Sequence, residues 1–141
     1  MQISYIENED QLKLVLDFCY DILGKHLKQV DNYKYGDWQK RIENYSRVLI
    51  FAQQDKKVIA AVLGRPESTE SLVMGFTACD ENYRMRGITK KLIQRFETNA
   101  KDLNFKYITL GADKNAEKFY EKCGYKSIGD IHGQQIYQKV L

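Results

Sequence analysis

The chain has 141 residues, of which 43% are hydrophobic and 29% are charged, and its formal net charge is +3. This composition is typical of a soluble globular protein and excludes a disordered chain. The small positive charge is dispersed along most of the sequence, which argues against nucleic acid as a partner. No apolar run approaches the roughly 20 residues that a helix needs to cross a bilayer, so no membrane partner is expected.

Seven segments have the alternating or continuous apolar pattern of β-strands, bounded by turn residues. In chain order they are residues 2–6, 47–53, 57–64, 72–79, 106–110, 126–131 and 135–140. The nearly continuous apolar run of 57–64 indicates a strand that is buried on both faces. Gly75 lies inside the fourth strand, where a glycine often marks a β-bulge or the close approach of another backbone. Pro66 begins the turn before the fourth strand, and His132 with Gly133 forms the last turn.

Four helices are predicted between these strands, because apolar residues recur there at helical spacing. The first helix has Asn8 or Asp10 as its N-cap and stops at Gly24. The other three cover residues 37–44, 88–103 and 115–122. A polar connector, 26–36, separates the first two helices. The whole pattern predicts one α/β (α+β) domain over residues 1–141, with a mixed sheet and flanking helices.

A loop rich in positive charge joins the fourth strand to the third helix. Its cationic residues are Arg84, Arg86, Lys90 and Lys91, and no acidic residue interrupts them. The first turn of the helix presents backbone N–H groups without a helical partner, and Gly87 lets a ligand approach them closely. The loop therefore predicts a phosphate or pyrophosphate site, while a tight turn with a solvated basic face is the alternative. No P-loop or dinucleotide-binding glycine pattern occurs in the sequence.

Two motifs, with a strand between them, resemble those of the GNAT acetyltransferase superfamily. Residues 84–89 read Arg-Met-Arg-Gly-Ile-Thr and resemble its Q/R-x-x-G-x-G/A signature. Residues 115–125 resemble its N-x-x-A-x-x-F-Y-x-x-x-G-F segment, with a shorter spacing between Asn115 and the Phe-Tyr pair. The resemblance implies a mostly antiparallel sheet of about seven strands that is splayed between its fourth and fifth strands.

The resemblance also implies that the chain binds acetyl-coenzyme A as co-substrate. The predicted binding residues are Ala78, Cys79, Arg84, Met85, Arg86, Gly87, Ile88, Thr89, Lys90 and Asn115. In the family, backbone N–H groups of the loop hold the pyrophosphate, and the fourth strand pairs with the pantetheine amides. A backbone N–H near residues 77–79 is expected to polarise the thioester carbonyl. Asn115 would bond the pantetheine arm or cap its own helix.

Two positions depart from the family pattern. Thr89 stands where the family usually has glycine or alanine, so the loop is expected to be wider or to offer a hydroxyl to a phosphate oxygen. Glu81 stands where proline is frequent and places an acid near the expected phosphate. Neither departure removes the backbone N–H groups of the loop, so the predicted co-substrate is unchanged.

Tyr120 occupies the family's tyrosine position and is predicted to donate a proton to the coenzyme A thiolate. The ordinary pKa of tyrosine, about 10, is close enough to that of a thiol for this transfer. Spacing alone allows another interpretation, because Tyr120 shares an apolar stripe with Ala116, Phe119 and Cys123 and would then be a core residue.

The general base is not identified by the sequence. No carboxylate lies within the fourth strand, and the candidates are Glu70 and Asp80, which flank it, and His26 in the connector. His132 is interpreted as a turn residue. The aromatic residues Tyr33, Tyr35, Trp38 and Tyr45 either form the wall of the acceptor site or pack a short helix.

The resemblance implies an N-acetyltransferase that moves an acetyl group from acetyl-coenzyme A to a primary amine by direct attack in a ternary complex. No covalent intermediate is expected, because neither Cys79 nor Cys123 has a histidine within sequence reach. A small-molecule amine is the first choice of acceptor. The alternatives are a protein or peptide amine, on a lysine or an N-terminus, and a non-catalytic acyl-coenzyme A-binding regulatory module.

The cysteines are three in number, widely spaced, and set in apolar surroundings. They predict reduced thiols in the core rather than a disulfide framework or a metal site. Residues 1–10 lack the basic and apolar regions of a secretion signal, so we expect a cytoplasmic protein. A homodimer is left open.

Overall fold

The computed structural model describes residues 1–25, 27 and 35–141, and these contain a seven-stranded sheet flanked by four α-helices. The strands are β1 (Gln2–Tyr5), β2 (Leu49–Gln54), β3 (Lys57–Pro66), β4 (Ser71–Cys79), β5 (Tyr107–Ala112), β6 (Lys126–Ile131) and β7 (Gln134–Val140). The helices are α1 (Glu9–Leu23), α2 (Tyr35–Tyr45), α3 (Ile88–Asp102) and α4 (Glu117–Lys122). Within the described ranges, no helix is both long and apolar enough to span a bilayer.

The strands lie in the order β1-β2-β3-β4-β5-β7-β6. The contact between β4 and β5 is parallel, and the other neighbouring pairs are antiparallel. The predicted mixed, mostly antiparallel sheet is therefore confirmed. The β6–β7 hairpin turns at His132 and Gly133, which both have positive φ, as a tight hairpin turn requires.

Apolar cores cover both faces of the sheet. On one face α3 packs Leu92, Ile93 and Phe96 against the strands, and on the other face α1 and α2 do the same with a second apolar cluster. Strand β3 contributes to both cores and is buried on both faces, as its apolar run predicts. Gly64 lies where a Cβ atom would stand 2.8 Å from the ring of Phe96, so close packing of α3 on β3 excludes a side chain there.

The helix ends follow local hydrogen bonding. Of the two N-cap candidates for α1, Asn8 is the cap, because its side chain accepts from the backbone N–H of Gln11. Gly24 ends α1 and donates its N–H to the carbonyl of Tyr20. Helix α3 begins after Gly87, which has a φ of 75° and so occupies a conformation that suits glycine.

Most predicted element boundaries differ from the observed ones by one or two residues, and three of these differences have an identifiable local setting. Arg47 begins no strand, because it lies in a 3₁₀ turn over Ser46–Val48 where the Asn99 side chain binds its backbone carbonyl. Pro66 does not begin a turn but is the last residue of β3, a position where its missing N–H disturbs little pairing. Asn115 lies in the 3₁₀ turn Lys114–Ala116 that precedes α4, rather than in the helix.

Strands β4 and β5 separate along their length. They pair only through residues 71–73 of β4 and 107–109 of β5, although each strand continues well beyond this point. The rest of β4 follows β3 as far as Cys79, and the rest of β5 follows β7 as far as Ala112. Because each strand stays with its outer neighbour, the two diverge, and the predicted splay between the fourth and fifth strands is confirmed.

Gly75 is the extra residue of a β-bulge in the open part of β4. The register with β3 passes from Gly64 opposite Met74 to Leu63 opposite Phe76, which leaves Gly75 without a partner. A Cβ atom at Gly75 would stand 3.5 Å from the nearest atom, an ordinary contact. The bulge is thus a feature of the strand register and does not depend on the absence of a side chain.

Candidate active site

The space between the diverging strands contains two adjoining cavities. The first, here named the loop cavity, has a volume of about 500 Å³ and reaches Arg84 and Thr89 at the start of α3. The second, the gap cavity, has a volume of about 470 Å³ and lies between β4 and β5. The residues that line both cavities are Leu23, Thr77, Asp113, Ala116 and Tyr120.

The start of α3 has the geometry of an anion site. The first hydrogen bond of the helix runs from the N–H of Lys91 to the carbonyl of Gly87, so the N–H groups of residues 88–90 have no partner within the helix. No side chain caps this end. A Cβ atom at Gly87 would have no neighbour within 4 Å, and a ligand therefore has open access to the backbone. Partial positive charge at the helix N-terminus favours an anion there.

The structure brings six of the predicted site residues together at the loop cavity. They are Ala78, Cys79, Arg84, Thr89, Asn115 and Tyr120. Five predicted residues remain. Met85 is fully exposed, Ile88 is buried in the core, and the Arg86 guanidinium lies 5.1 Å from the centre of the Tyr83 ring. Lys90 is exposed in the first turn of α3, and Gly87 is the residue before that helix. For Ile88, only the backbone is available to a ligand.

The two departures from the family pattern have different consequences. Thr89 borders the loop cavity, so this departure lies at the candidate site. Glu81 lies exposed in the 3₁₀ turn Glu81–Tyr83 and is not among the residues that line the loop cavity. Arg84, by contrast, both borders the cavity and donates from Nε to the carbonyl of Cys79 at 3.4 Å.

Tyr120 belongs both to the core and to the site. Only 8% of it is exposed, and its ring packs edge-on against Phe119 and Tyr125. It nevertheless lines both cavities, and Thr77, which also lines both, lies beside it. Burial raises the pKa of Tyr120 above its ordinary value, and the Thr77 hydroxyl opposes this more weakly. The phenol therefore keeps its proton at neutral and mildly alkaline pH.

Two other buried tyrosines differ from Tyr120 in their partners. The hydroxyl of Tyr125 donates to Glu97 at 2.8 Å, and that of Tyr137 donates to Glu121 at 2.9 Å. Burial and these carboxylates raise the pKa of both, that of Tyr137 to about 12. The hydroxyls of Tyr125 and Tyr137 therefore donate to carboxylates, whereas the group beside the hydroxyl of Tyr120 is the neutral hydroxyl of Thr77.

The carboxylates that flank β4 are poorly suited to act as a base. Asp80 accepts from the backbone N–H of Asn82, which is the main reason why its pKa is lowered. It also forms an ion pair with Lys57 at 3.4 Å. Glu70 forms an ion pair with Lys106 and precedes the paired end of β4, roughly 23 Å of strand from Thr77 at about 3.3 Å per residue. His26 lies outside the described residues.

Asp113 is the carboxylate that the sequence analysis missed. It follows β5, borders both cavities, and is near enough to Tyr120 to raise the pKa of that phenol. Its side chain does not cap the 3₁₀ turn that follows it. The N-x-x-A spacing of the family motif, counted back from Ala116, would have led to position 113 instead of Asn115. Asn115 does not cap α4 either, so that alternative for Asn115 is wrong.

A third cavity adjoins the gap cavity on the side of α1 and α2. This arginine cavity has a volume of about 400 Å³ and is lined by Leu27, Trp38, Arg41, Leu63, Arg65, Gly75 and Phe76. It meets the gap cavity at Leu27, Gly75 and Phe76. The three cavities thus form one groove. At one end is the segment from Arg84 to Lys90 at the start of α3, here named the anion loop; Tyr120 and Asp113 lie in the middle, and two arginines lie at the other end.

The predicted aromatic cluster is divided by the structure. Trp38 lines the arginine cavity, whereas Tyr45 packs on Phe105 in the core on the other face of the sheet. Tyr33 and the side chain of Tyr35 lie outside the described residues. The cysteines are free thiols, but only Cys19 is buried, so the prediction of a core position is wrong for the half-buried Cys79 and Cys123. The described part of the chain contains no group of three or more His, Cys, Asp or Glu side chains placed to hold a metal ion.

A family model described as an acetyltransferase (GNAT) domain matches residues 18–135 of the chain. No curated relative matches it in sequence. Among solved structures, an aminoglycoside 6'-N-acetyltransferase complexed with coenzyme A has a TM-score of 0.75 at 18% identity, over 99% of this chain and 97% of that one. An acetyltransferase from Streptococcus agalactiae has a TM-score of 0.72 at 22% identity, over 99% and 98% of the two chains. The PaiA N-acetyltransferase from Thermoplasma acidophilum, in complex with coenzyme A, has a TM-score of 0.72 at 15% identity, over 100% of both chains.

Proposed function

The chain belongs to the GNAT acetyltransferase family, and we propose on this basis that it transfers the acetyl group of acetyl-coenzyme A to a primary amine of a small molecule. The observation that carries the proposal is the position of Tyr120 and Asp113 in the middle of the groove, between the anion loop and the arginine cavity. An acid and a base are needed there, because amine acetylation removes a proton from the amine and returns one to the thiolate.

The residues along the loop cavity fit acetyl-coenzyme A. The partnerless N–H groups of residues 88–90 suit its pyrophosphate, with Arg84 and Thr89 beside them. The edge of β4 at Ala78 and Cys79 is unpaired on the side of β5, so the amides of the pantetheine arm can approach its backbone there. The carbonyl of Cys79 already accepts from Nε of Arg84 at 3.4 Å and would have to exchange that bond. Two of the similar structures hold coenzyme A, which agrees with this choice of co-substrate.

The co-substrate supplies a thioester, whose carbonyl carbon is the electrophile. In our proposal a backbone N–H near residues 77–79 donates to the carbonyl oxygen, and one such donor is typically worth about 3 kcal/mol in the transition state. Asp113 accepts the proton of the amine, and Tyr120 donates its proton to the departing thiolate. The amine attacks directly, with both substrates bound. The Cys79 thiol is not used as a nucleophile, since it contacts the carbonyl of Asp80 rather than a base.

The test is a coenzyme A release assay with a panel of primary amines, comparing wild type with Tyr120→Phe. We expect kcat to fall by about 10²–10⁴-fold, the usual contribution of a positioned proton donor, while KM for acetyl-coenzyme A changes little. The matched control is Tyr137→Phe, which removes another buried and hydrogen-bonded hydroxyl away from the groove. Equal kcat values for the two variants would refute the role of Tyr120.

The alternatives make different predictions in the same assay. A non-catalytic acyl-coenzyme A-binding module would bind acetyl-coenzyme A but acetylate no amine. A lysine or N-terminal acetyltransferase would act on peptides in preference to small amines. The two arginines at the acceptor end of the groove disfavour a basic peptide, which is the reason why we rank the small-molecule acceptor first.

A further inference from the structure

We propose that the acceptor amine also carries an anionic group, a carboxylate or a phosphate, which Arg65 and Arg41 bind in the arginine cavity. This inference rests on the proposed function, since it names the chemical class of the acceptor for that same groove. Both arginines line the cavity, and none of the other described residues that line it is acidic. The cavity joins the gap cavity, where Tyr120 and Asp113 lie.

The two arginines come from separate elements and converge on one space. Arg41 lies on α2, where its guanidinium carbon stands 3.8 Å from the centre of the Trp38 ring. Trp38 is 3% exposed and fixed in the core, so this contact holds the guanidinium at the cavity wall. Arg65 lies near the end of β3, two residues beyond Leu63, and the pleat of the strand directs both side chains to the same face.

Arg65 has the properties expected of a ligand-binding arginine. Its side chain is exposed and forms no ion pair with any residue in the described ranges 1–25, 27 and 35–141. It stands opposite Val73, beside the bulge at Gly75 where β4 leaves β5. A planar guanidinium binds a carboxylate or a phosphate through two parallel hydrogen bonds, which a neutral or cationic group cannot form.

The groove carries opposite charges at the two places where the acceptor amine would bind, the gap cavity and the arginine cavity. Asp113 in the gap cavity favours an amine, which is cationic before it reacts, and the arginines favour an anion. Thr77, beside Tyr120, is two residues from Gly75 and one from Phe76, where the arginine cavity begins, a separation of roughly 3–7 Å along the strand. The acceptor that fits is a short amine with its anionic group a few bonds away, rather than a polyamine.

The experiment compares four amines of similar size as substrates: 4-aminobutyrate, its neutral amide 4-aminobutanamide, 2-aminoethyl phosphate and 1,4-diaminobutane. We expect one of the anionic amines to have a kcat/KM at least about tenfold above that of the amide, with the diamine poorest. Whether the carboxylate or the phosphate is preferred identifies the anion. Equal kcat/KM values for the amide and both anionic amines would overturn the proposal and leave the proposed acetylation intact.

The variant Arg65→Gln tests whether Arg65 binds the anionic group of the acceptor. We expect it to raise KM for the preferred anionic amine by about tenfold to a hundredfold, the usual effect of losing a charged hydrogen bond. The kcat for that amine and the kcat/KM for the neutral amide should change little. Arg41→Lys, which keeps the charge but removes the planar group, should have a smaller effect of the same kind. Lys126→Gln, on the exposed edge strand β6, is the matched loss of one cation and should change nothing.

A binding measurement separates the two proposals. The same amines are titrated calorimetrically into wild type and Arg65→Gln in the presence of coenzyme A, where no acetyl transfer takes place. Binding of an anionic amine that is lost in Arg65→Gln supports the anion site even if no amine is acetylated, in which case the proposed function alone fails. If neither anionic amine binds more tightly than the amide, the proposed anion site is wrong.

Discussion

Strands β4 and β5 are neighbours in the sheet, but they are paired at one end and separated at the other. Over residues 71–73 and 107–109 the strands are hydrogen-bonded, and Leu72 and Ile108 between them are completely buried. Beyond this point the strands diverge, and β4 borders cavities that contain Tyr120 and Asp113. The paired half contributes a continuous core, and the open half lines the cavities of the proposed site. The comparison shows how a sheet can open to form a cavity: each of two neighbouring strands remains paired with its outer neighbour and not with the other.

The largest expected effect on stability belongs to the paired half. Leu72→Ala should lower the free energy of unfolding by about 2–5 kcal/mol, because it leaves a cavity in a core that is fully buried. Thr77→Val, in the open half, keeps the size of the side chain and should change that free energy by no more than about 1 kcal/mol. Urea unfolding of both variants measures the difference. Similar losses in the two would contradict the division between the halves.

The next prediction concerns activity and a residue that borders the open half, Asp113. Asp113→Asn removes the proposed base without changing its size and should lower kcat/KM by about a hundredfold, while the free energy of unfolding changes little. Asp55→Asn, in the β2–β3 turn, is the matched control, because asparagine tolerates the positive φ of that residue. An Asp113→Asn variant as active as this control would exclude Asp113 as the base.

The smallest expected effect is a pH dependence of the free energy of unfolding, which Tyr137 contributes in alkaline solution. Because burial and then Glu121 raise the pKa of Tyr137 from its ordinary value of 10.0 to about 12, the folded state binds this proton more tightly than the unfolded state. Its contribution to stability is complete below pH 10 and is lost as the pH rises from 10 to about 12. Urea unfolding across this range should show a slope that Tyr137→Phe reduces. An unchanged slope would mean that this hydroxyl is not buried against its carboxylate.

The fold could be predicted closely because its signals are local. Alternating strands, the N-cap at Asn8, the stop at Gly24 and the hairpin turn at Gly133 each act within a few residues. The errors have tertiary causes that no local pattern contains. Arg47, for example, has its carbonyl bound by the side chain of Asn99, which lies 52 positions further along the chain.

The site was predictable only where a motif reports it. The resemblance led to the loop and to Tyr120, which the structure brings together at one cavity. Asp113 was missed because the motif was aligned on Asn115. Arg65 and Arg41 were missed because nothing in the sequence links a residue at the end of β3 to one on α2. Their convergence depends on how α2 packs over the sheet, which only the fold determines.

The most direct test of the central claim is a calorimetric titration of acetyl-coenzyme A into wild type, Gly87→Glu and Gly133→Glu. Both glycines have positive φ, and a Cβ atom at either one has no neighbour within 4 Å, so the two variants carry similar strain and the same charge. We predict micromolar binding by wild type and Gly133→Glu, and a loss of at least about tenfold in Gly87→Glu, whose carboxylate repels the pyrophosphate. No binding by wild type, or equal binding by the two variants, would contradict the assignment of the anion loop and of the groove that begins there.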